Sequence, residues 1–197
     1  RTPASAAVFF PGGRTLKPGD LLKQSDLART LGEVANGGAD VFYRGSIAKR
    51  MAAALAEAGG ALTVEDLADH ATDVTAPLSS TYRGYTVHET RLPTQGFVVL
   101  EAHTTSLCVA DSDGLMVSLI FSVSDWFGSG FVAGDTGVLL NNRAGHCFSL
   151  EPGHPNVFAP GKRTMHTLNC YLIAAPDGTP VAVAGLTLDS RAAGQGD

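Results

Sequence analysis

The feature that most limits the folds open to this chain is a change of period near residue 103. Before it, apolar residues recur at helical spacing; after it, short branched and aromatic runs alternate with tight turns. Ser25-Asp26 is placed to open a helix through Leu27, Leu31 and Val34, and Asn36-Gly37-Gly38 is placed to stop it. Arg44-Gly45-Ser46 leads into a second helix, Ile47 to Ala58, which Gly59-Gly60 ends. Thr63 and Asp66 fit the capping pattern of a third, short helix. Thr81 to His88 alternates as one strand does. Thr105 to Ala110, the turn Asp111-Ser112-Asp113-Gly114 and the return from Leu115 to Val123 form a predicted hairpin. Gly128-Ser129-Gly130 and Gly134 to Gly137 mark further turns, and Asn169 to Ala175 with Pro180 to Ala184 form a second hairpin around Asp177-Gly178. Helices followed by antiparallel strands predict an α+β fold.

Composition narrows the classes of function. With 197 residues, 44% hydrophobic and 17% charged, the chain has the balance of a packed domain, one of ordinary size or two small ones. Nineteen acidic against fourteen basic side chains give a formal charge of −5, which argues against a nucleic-acid binder needing a basic face. No apolar run is long enough to span a bilayer, so no membrane partner is expected. The N-terminal residues show no signal-peptide pattern, and the compartment is left open between cytoplasm and periplasm or exterior. Cys108, Cys147 and Cys170 are widely spaced without a CxxC, which predicts three buried or half-buried thiols rather than a disulfide framework or a zinc site. Asp66, Asp69, His70 and Asp73 read as a solvated helix face, not a metal site, and Trp126-Phe127 as core packing.

One stretch carries chemistry. In His103-Thr104-Thr105-Ser106, a hydroxyl stands at the start of a strand that runs into a tight turn. Threonine is a weak nucleophile unless it heads a chain, where its own α-amine acts as the base. From periodicity alone, a Thr-Thr pair at a strand start is ordinary β-propensity.

Many segments in fixed order change that balance. They include Gly13-Arg14-Thr15-Leu16-Lys17-Pro18-Gly19-Asp20, Phe42-Tyr43-Arg44-Gly45, Gly60-Ala61-Leu62-Thr63, Tyr82-Arg83-Gly84-Tyr85, Thr104-Thr105 and Asp111 to Gly114. Further along come Phe127-Gly128-Ser129-Gly130, Leu139-Leu140-Asn141-Asn142, His154-Pro155-Asn156 and Pro160-Gly161-Lys162-Arg163. In these the chain resembles the gamma-glutamyltransferase family of N-terminal-nucleophile hydrolases. The resemblance implies an αββα sandwich, partial or with segments missing. Residues 1–102 would form a large-subunit-like helical portion, and residues 104–197 a small-subunit-like β-rich portion beginning at the nucleophile, together making one αββα domain. It implies a precursor cut between His103 and Thr104, whose two fragments stay associated. It also implies cleavage of a γ-glutamyl or related acyl amide through an acyl-enzyme on Thr104, with no metal or organic cofactor.

By the same resemblance Ser122 stands where the family has a Thr that orients the nucleophile. Ser124 stands where an Asn helps hold the substrate α-carboxylate, and Asn141-Asn142 match the family's Asn-Asn. Three positions depart from the transpeptidases: Arg143 replaces a Gln, His146 replaces the Asp that pairs with the glutamyl α-amino group, and His166-Thr167 replace a Ser-Ser pair. These look more like the acylase-type branch, which includes cephalosporin and glutaryl acylases. The substrate-binding candidates are therefore Ser124, Asn142, Arg143, His146, His166 and Thr167, and the catalytic candidates Thr104 and Ser122. Arg163 and His166 are also candidates for meeting an acid group. The family's Gly-Gly oxyanion hole has no counterpart in Gly185 to Arg191, and the family carries a helical stretch before its nucleophile and further segments at both ends that are not in this sequence. The alternative is a degenerate or unprocessed member acting as a binding or structural protein.

Overall fold

The computed structural model describes residues 2–91, 94 and 105–187. His103 and Thr104 lie outside the described residues. The chain divides into two compact units that interleave in sequence: residues 1–73 with 127–140, and residues 74–126 with 141–197.

The first unit is helical: α1 (Pro3–Phe9), α2 (Ser25–Tyr43), α3 (Ser46–Glu57) and α4 (Val64–Ala68). Helix α3 follows the Ala, Leu and Met spacing of its sequence and buries Ile47, Ala48, Met51 and Ala52. Its buried face packs with Leu67 and Ala133, flanked by Val34, Phe42, Val64 and Leu140. Helix α4 carries the predicted capping box: Asp66 N–H bonds the Thr63 hydroxyl, and the Asp66 carboxylate takes the Thr63 N–H. Within α2 the expected stop holds: Gly38 leaves the helical region (φ 69, ψ −164), and a second helical stretch follows it to Tyr43. Val41 and Phe42 of that second stretch pack against the core.

Residues 127–140 return to this unit as a folded-back segment. Ala133 and Val138 pair by backbone, as do Phe131 and Leu140. A Cβ at Gly137 would lie 2.2 Å from the Leu27 nitrogen, and the residue adopts φ +70, so only glycine fits there. Ser5 ties the segment to α1 by donating to Gly130 O and accepting from Val132 N–H. Thr30, on α2, donates to Thr136 O at 2.7 Å. Trp126 and Phe127 are exposed rather than core, because they flank the turn that enters this segment; Phe127 keeps one edge-on contact with Phe9.

The second unit is built of strands. β1 (Leu78–Tyr82), β2 (Tyr85–Glu89), β5 (Leu168–Ala174) and β6 (Pro180–Thr187) form an antiparallel sheet in the order β1-β2-β5-β6, and β3 (Thr105–Ala110) pairs with β4 (Met116–Phe121) in a second sheet. The predicted single strand over 81–88 is in fact a hairpin. Arg83 and Gly84 both take positive φ (51 and 86), the turn whose twist suits two-residue hairpins. The two sheets stack face to face: Ser118 donates to Ala184 O, Cys170 Sγ meets Ser118 O, and a Cβ at Gly185 would come within 3.0 Å of Ile120. The other face of the β3–β4 hairpin leaves Leu107, Val109, Val117, Leu119 and Phe121 exposed. Cys147 is buried and Cys170 half-buried, as expected, but Cys108 is exposed; all three are free thiols. Cys108 lies opposite Ser118 on β4, with its sulfur 4.0 Å from that hydroxyl.

Among the described residues, no helix is long and apolar enough to cross a membrane, and no three metal-ligating side chains gather. Asp66 is engaged in its cap and His70 stacks on Tyr43.

Candidate active site

The loop after β4 carries two of the candidate hydroxyls. Ser124 N–H donates to Ser122 Oγ at 3.0 Å, and Ser124 itself sits at φ 83. A non-glycine residue in that region is held there by its surroundings. Here the holder is Asn142, whose Oδ1 accepts from Asp125 N–H at 3.2 Å and whose own N–H donates to Val123 O.

Asn142 also begins α5 (Arg143–Cys147), a single helical turn that the sequence pattern did not reveal. Asn141 starts that turn by accepting from Arg143 N–H at 2.9 Å. Because Asn142 Oδ1 is already an acceptor, its amide nitrogen is the donor to His146 Nε2, 3.1 Å away. His146 therefore holds its proton on Nδ1 when neutral. One turn places Arg143 and Cys147 together as well, with the thiol buried at 4.0 Å from the guanidinium.

The third piece is the lead-in to β5. Thr167 is almost fully buried and its hydroxyl takes a hydrogen bond from Arg143 Nη1 at 3.2 Å. His166 Nδ1 accepts from Leu168 N–H, and its backbone bridges Thr94. Burial pushes the His166 imidazole below its ordinary value of 6.5, and the Arg143 charge lowers it further. Both facts describe a neutral ring with its proton on Nε2.

Ser122, Ser124, Asn142 and His146 thus belong to one hydrogen-bonded group, and Arg143, His166 and Thr167 to a second. The two groups are joined through the adjacent residues Asn142 and Arg143. The nucleophile candidate Thr104 and the cleavage partner His103 fall outside the described residues.

Two asparagines in this region were not among the site residues expected from the sequence. Asn156 donates to Cys147 O and to Thr164 Oγ1 and accepts from Met165 N–H, so it pins the long loop that delivers His166 and Thr167. Asn169 is wholly buried inside β5 and donates to Thr167 O. Its one sequence signal is a polar residue inside the apolar run from Leu168 to Ile173.

The charge pattern is chemically specific. Arg143 is half-buried, yet its side-chain partners among the described residues are a hydroxyl and a thiol. A guanidinium offers five donors and suits a carboxylate in a forked geometry. Among the described residues no carboxylate pairs with this one.

A family model described as gamma-glutamyltranspeptidase matches residues 1–103 and again residues 100–187. The chain belongs to this family. Among curated relatives, the glutathione hydrolase-like YwrD proenzyme of Bacillus subtilis is 29% identical, over 85% of this chain and 46% of its own length. The glutathione hydrolase proenzyme of Escherichia coli is 26% identical, over 95% of this chain and 49% of its own. Among solved structures, the cephalosporin acylase of Bacillus halodurans superimposes with a TM-score of 0.82 at 28% identity, over 93% of this chain and 48% of that one. The expected class is met: the fold is that of the gamma-glutamyltranspeptidase and cephalosporin acylase group of N-terminal-nucleophile hydrolases, in a chain that spans about half the length of the relatives it matches. Its relatives are hydrolases made as proenzymes, with acylases among them. The alignment with the E. coli relative runs over 284 residues, more than the whole chain, so that relative carries residues inside the aligned span that are absent here. The family match comes in two segments that overlap at residues 100–103, and the second covers Thr104.

Proposed function

We propose that this gamma-glutamyltranspeptidase-family chain is part of an amidohydrolase or acyltransferase working through an acyl-enzyme on Thr104. The Thr104 hydroxyl attacks the His103 carbonyl carbon, and the C–N bond breaks so that the acyl group moves to the hydroxyl as an ester and the Thr104 α-amine is freed. Water then hydrolyses the ester to leave a carboxylate on His103 and restore the Thr104 hydroxyl. In turnover the same hydroxyl attacks a substrate amide carbonyl, the α-amine takes its proton and passes it to the departing amine, and the acyl ester remains on Thr104. Water or an acceptor amine then releases the acyl group. Ser122 orients the nucleophile, and residues 1–103 and 104–197 remain associated after the cut.

The observation that carries the substrate side of this reading is the half-buried Arg143 guanidinium, which meets no carboxylate among the described residues. Arg143 takes an acid group at the far end of the acyl chain, with Thr167 beside it and a neutral His166 that adds no competing charge. His146 supports the same choice. Its Nε2 is engaged by Asn142, so the neutral ring presents an N–H outward, which is the wrong polarity to hold an ammonium group. The favoured substrate is an amide of a dicarboxylic acyl group without an α-amine, of the glutaryl type, rather than a γ-glutamyl amide.

Mass spectrometry of the purified protein tests the chemistry. Two fragments divided between His103 and Thr104 are expected, and Thr104→Ala is expected to give one intact species without turnover. A wild-type chain that never splits and never acylates overturns this reading and leaves the non-catalytic alternative. Turnover of γ-glutamyl-p-nitroanilide in preference to glutaryl-p-nitroanilide would overturn the reading of Arg143 and His146.

A further inference from the structure

None of the steps above uses Asn169. Its side chain is wholly buried, at 0% exposure, in a strand that is otherwise apolar around it. Nδ2 donates to the Thr167 carbonyl at 3.2 Å, while Oδ1 has no hydrogen-bond partner among the described residues. A carboxamide whose oxygen is buried and unmet is a poor packing residue, since leucine has the same branched skeleton without an orphaned acceptor. The bond it does make falls on Thr167, the residue whose hydroxyl meets the Arg143 guanidinium. Asn169, Thr167 and Arg143 therefore form a line of contacts from the interior of β5 to the Arg143 guanidinium.

We propose that Asn169 is a positioning residue for the acid-binding guanidinium: it holds the Thr167 carbonyl so that the hydroxyl of Thr167 fixes Arg143 with its remaining N–H groups available. The proposal rests on the reading of Arg143 as an acid anchor. A donor at position 169 is kept for binding, and the unmet Oδ1 is its cost to the fold. Stability and affinity should then move in opposite directions when the carboxamide is removed.

The test is calorimetric titration of the wild-type protein and its variants with glutarate, which carries the acid group but no amide to cleave, and with neutral glutaramide as the control. The wild type is expected to bind glutarate more tightly than glutaramide. Asn169→Leu is expected to weaken glutarate binding by about tenfold, with a melting temperature unchanged or higher. Thr167→Val is expected to give a similar loss, and the double variant no more than either single change, because both act along one line. Should Asn169→Leu fail to fold, Asn169→Ser, which keeps a donor, is expected to retain more glutarate affinity than Asn169→Ala. Wild-type affinity in Asn169→Leu, or equal affinities in the Ser and Ala variants, overturns the proposal while leaving Arg143 as the anchor. Absence of glutarate binding by the wild type overturns the anchor reading and this proposal with it.

Discussion

Each unit of the molecule holds a half-buried arginine, and the two are treated in opposite ways. In the helical unit, Arg50 faces Glu33 with both terminal nitrogens, at 2.9 and 3.3 Å, and Asp135 at 3.4 Å. The Glu33 carboxylate holds Arg50 above its ordinary range, and Arg50 holds Glu33 below its own. In the strand unit, Arg143 meets Thr167 and Cys147. Removing a guanidinium from water is costly without a counter-charge. Arg50 has that charge within the fold, so it serves the fold. Arg143 lacks it among the described residues, so its counter-charge is assigned to the ligand.

The largest effect that tests this contrast comes from removing each cation in turn. Arg143→Met should lower kcat/KM for glutaryl-p-nitroanilide by about 10- to 100-fold, the scale of a charge-assisted hydrogen bond, with little change in melting temperature. Arg50→Met should lower the melting temperature, because Glu33 and Asp135 are left without their partner, yet keep the preference for glutaryl over γ-glutamyl amides. If both variants lose stability and neither shifts the preference, the contrast is false.

A second comparison separates folding from binding by going to the core of the helical unit. Ile47 is fully buried at the centre of α3's packing face. Ile47→Ala should cost about 2–5 kcal/mol in denaturant unfolding, while the glutarate affinity of the folded fraction stays at the wild-type value. A parallel loss of affinity would mean that the site depends on that core.

These expectations also indicate what sequence reading reached and what it did not. Helix α3 and the capping box at Thr63 were legible because local spacing and local hydrogen bonds decide them. The hairpin at Arg83-Gly84 was not, because Arg-Gly lacks the Asn-Gly or Asp-Gly signature of its turn. Ser122, Asn142, Arg143 and His166 were legible as candidates through resemblance to a family. Whether a cation meets a carboxylate is another matter, since Glu33 reaches Arg50 across two helices and no spacing rule announces that none among the described residues reaches Arg143. Asn169 escaped for the same reason, as its unmet oxygen exists only once β5 and its surroundings are packed.

The pH dependence of stability sharpens the contrast further. His166 lies below 6.5 in the folded state through burial and the Arg143 charge. The unfolded chain therefore takes up this proton at a higher pH than the folded one. Stability from the neutral ring is full above 6.5 and falls as the pH drops from 6.5 toward the folded value. The carboxylates Asp20, Glu33, Asp66 and Asp177 are held below ordinary values of 3.8 or 4.5, so their contributions are lost only at more acid pH. Urea midpoints measured between pH 4.5 and 6.5 should fall on acidification, and His166→Gln should flatten that slope. Arg143→Met should reduce it in part, by removing the secondary cause. An unchanged slope in His166→Gln would place the titrating group elsewhere.

The smallest effect concerns a third arginine that tests whether lacking a carboxylate is enough. Arg83 is exposed and its guanidinium lies over the Tyr82 ring, 5.3 Å from the centroid. It resembles Arg143 in facing no acid among the described residues, but it is exposed, so water solvates its charge. Its positive φ of 51 favours asparagine at that position of the turn. Arg83→Asn relieves about 1 kcal/mol of backbone strain and forfeits a similar cation–π contact of about 0.5–1 kcal/mol, so the net change in stability should stay within about 0.5 kcal/mol. Glutarate affinity should not change at all. If Arg83→Asn weakens glutarate binding as Arg143→Met does, absence of a carboxylate would be the whole criterion. If only Arg143→Met does so, half-burial and the hold of Thr167 are what turn an unpaired arginine into an acid site.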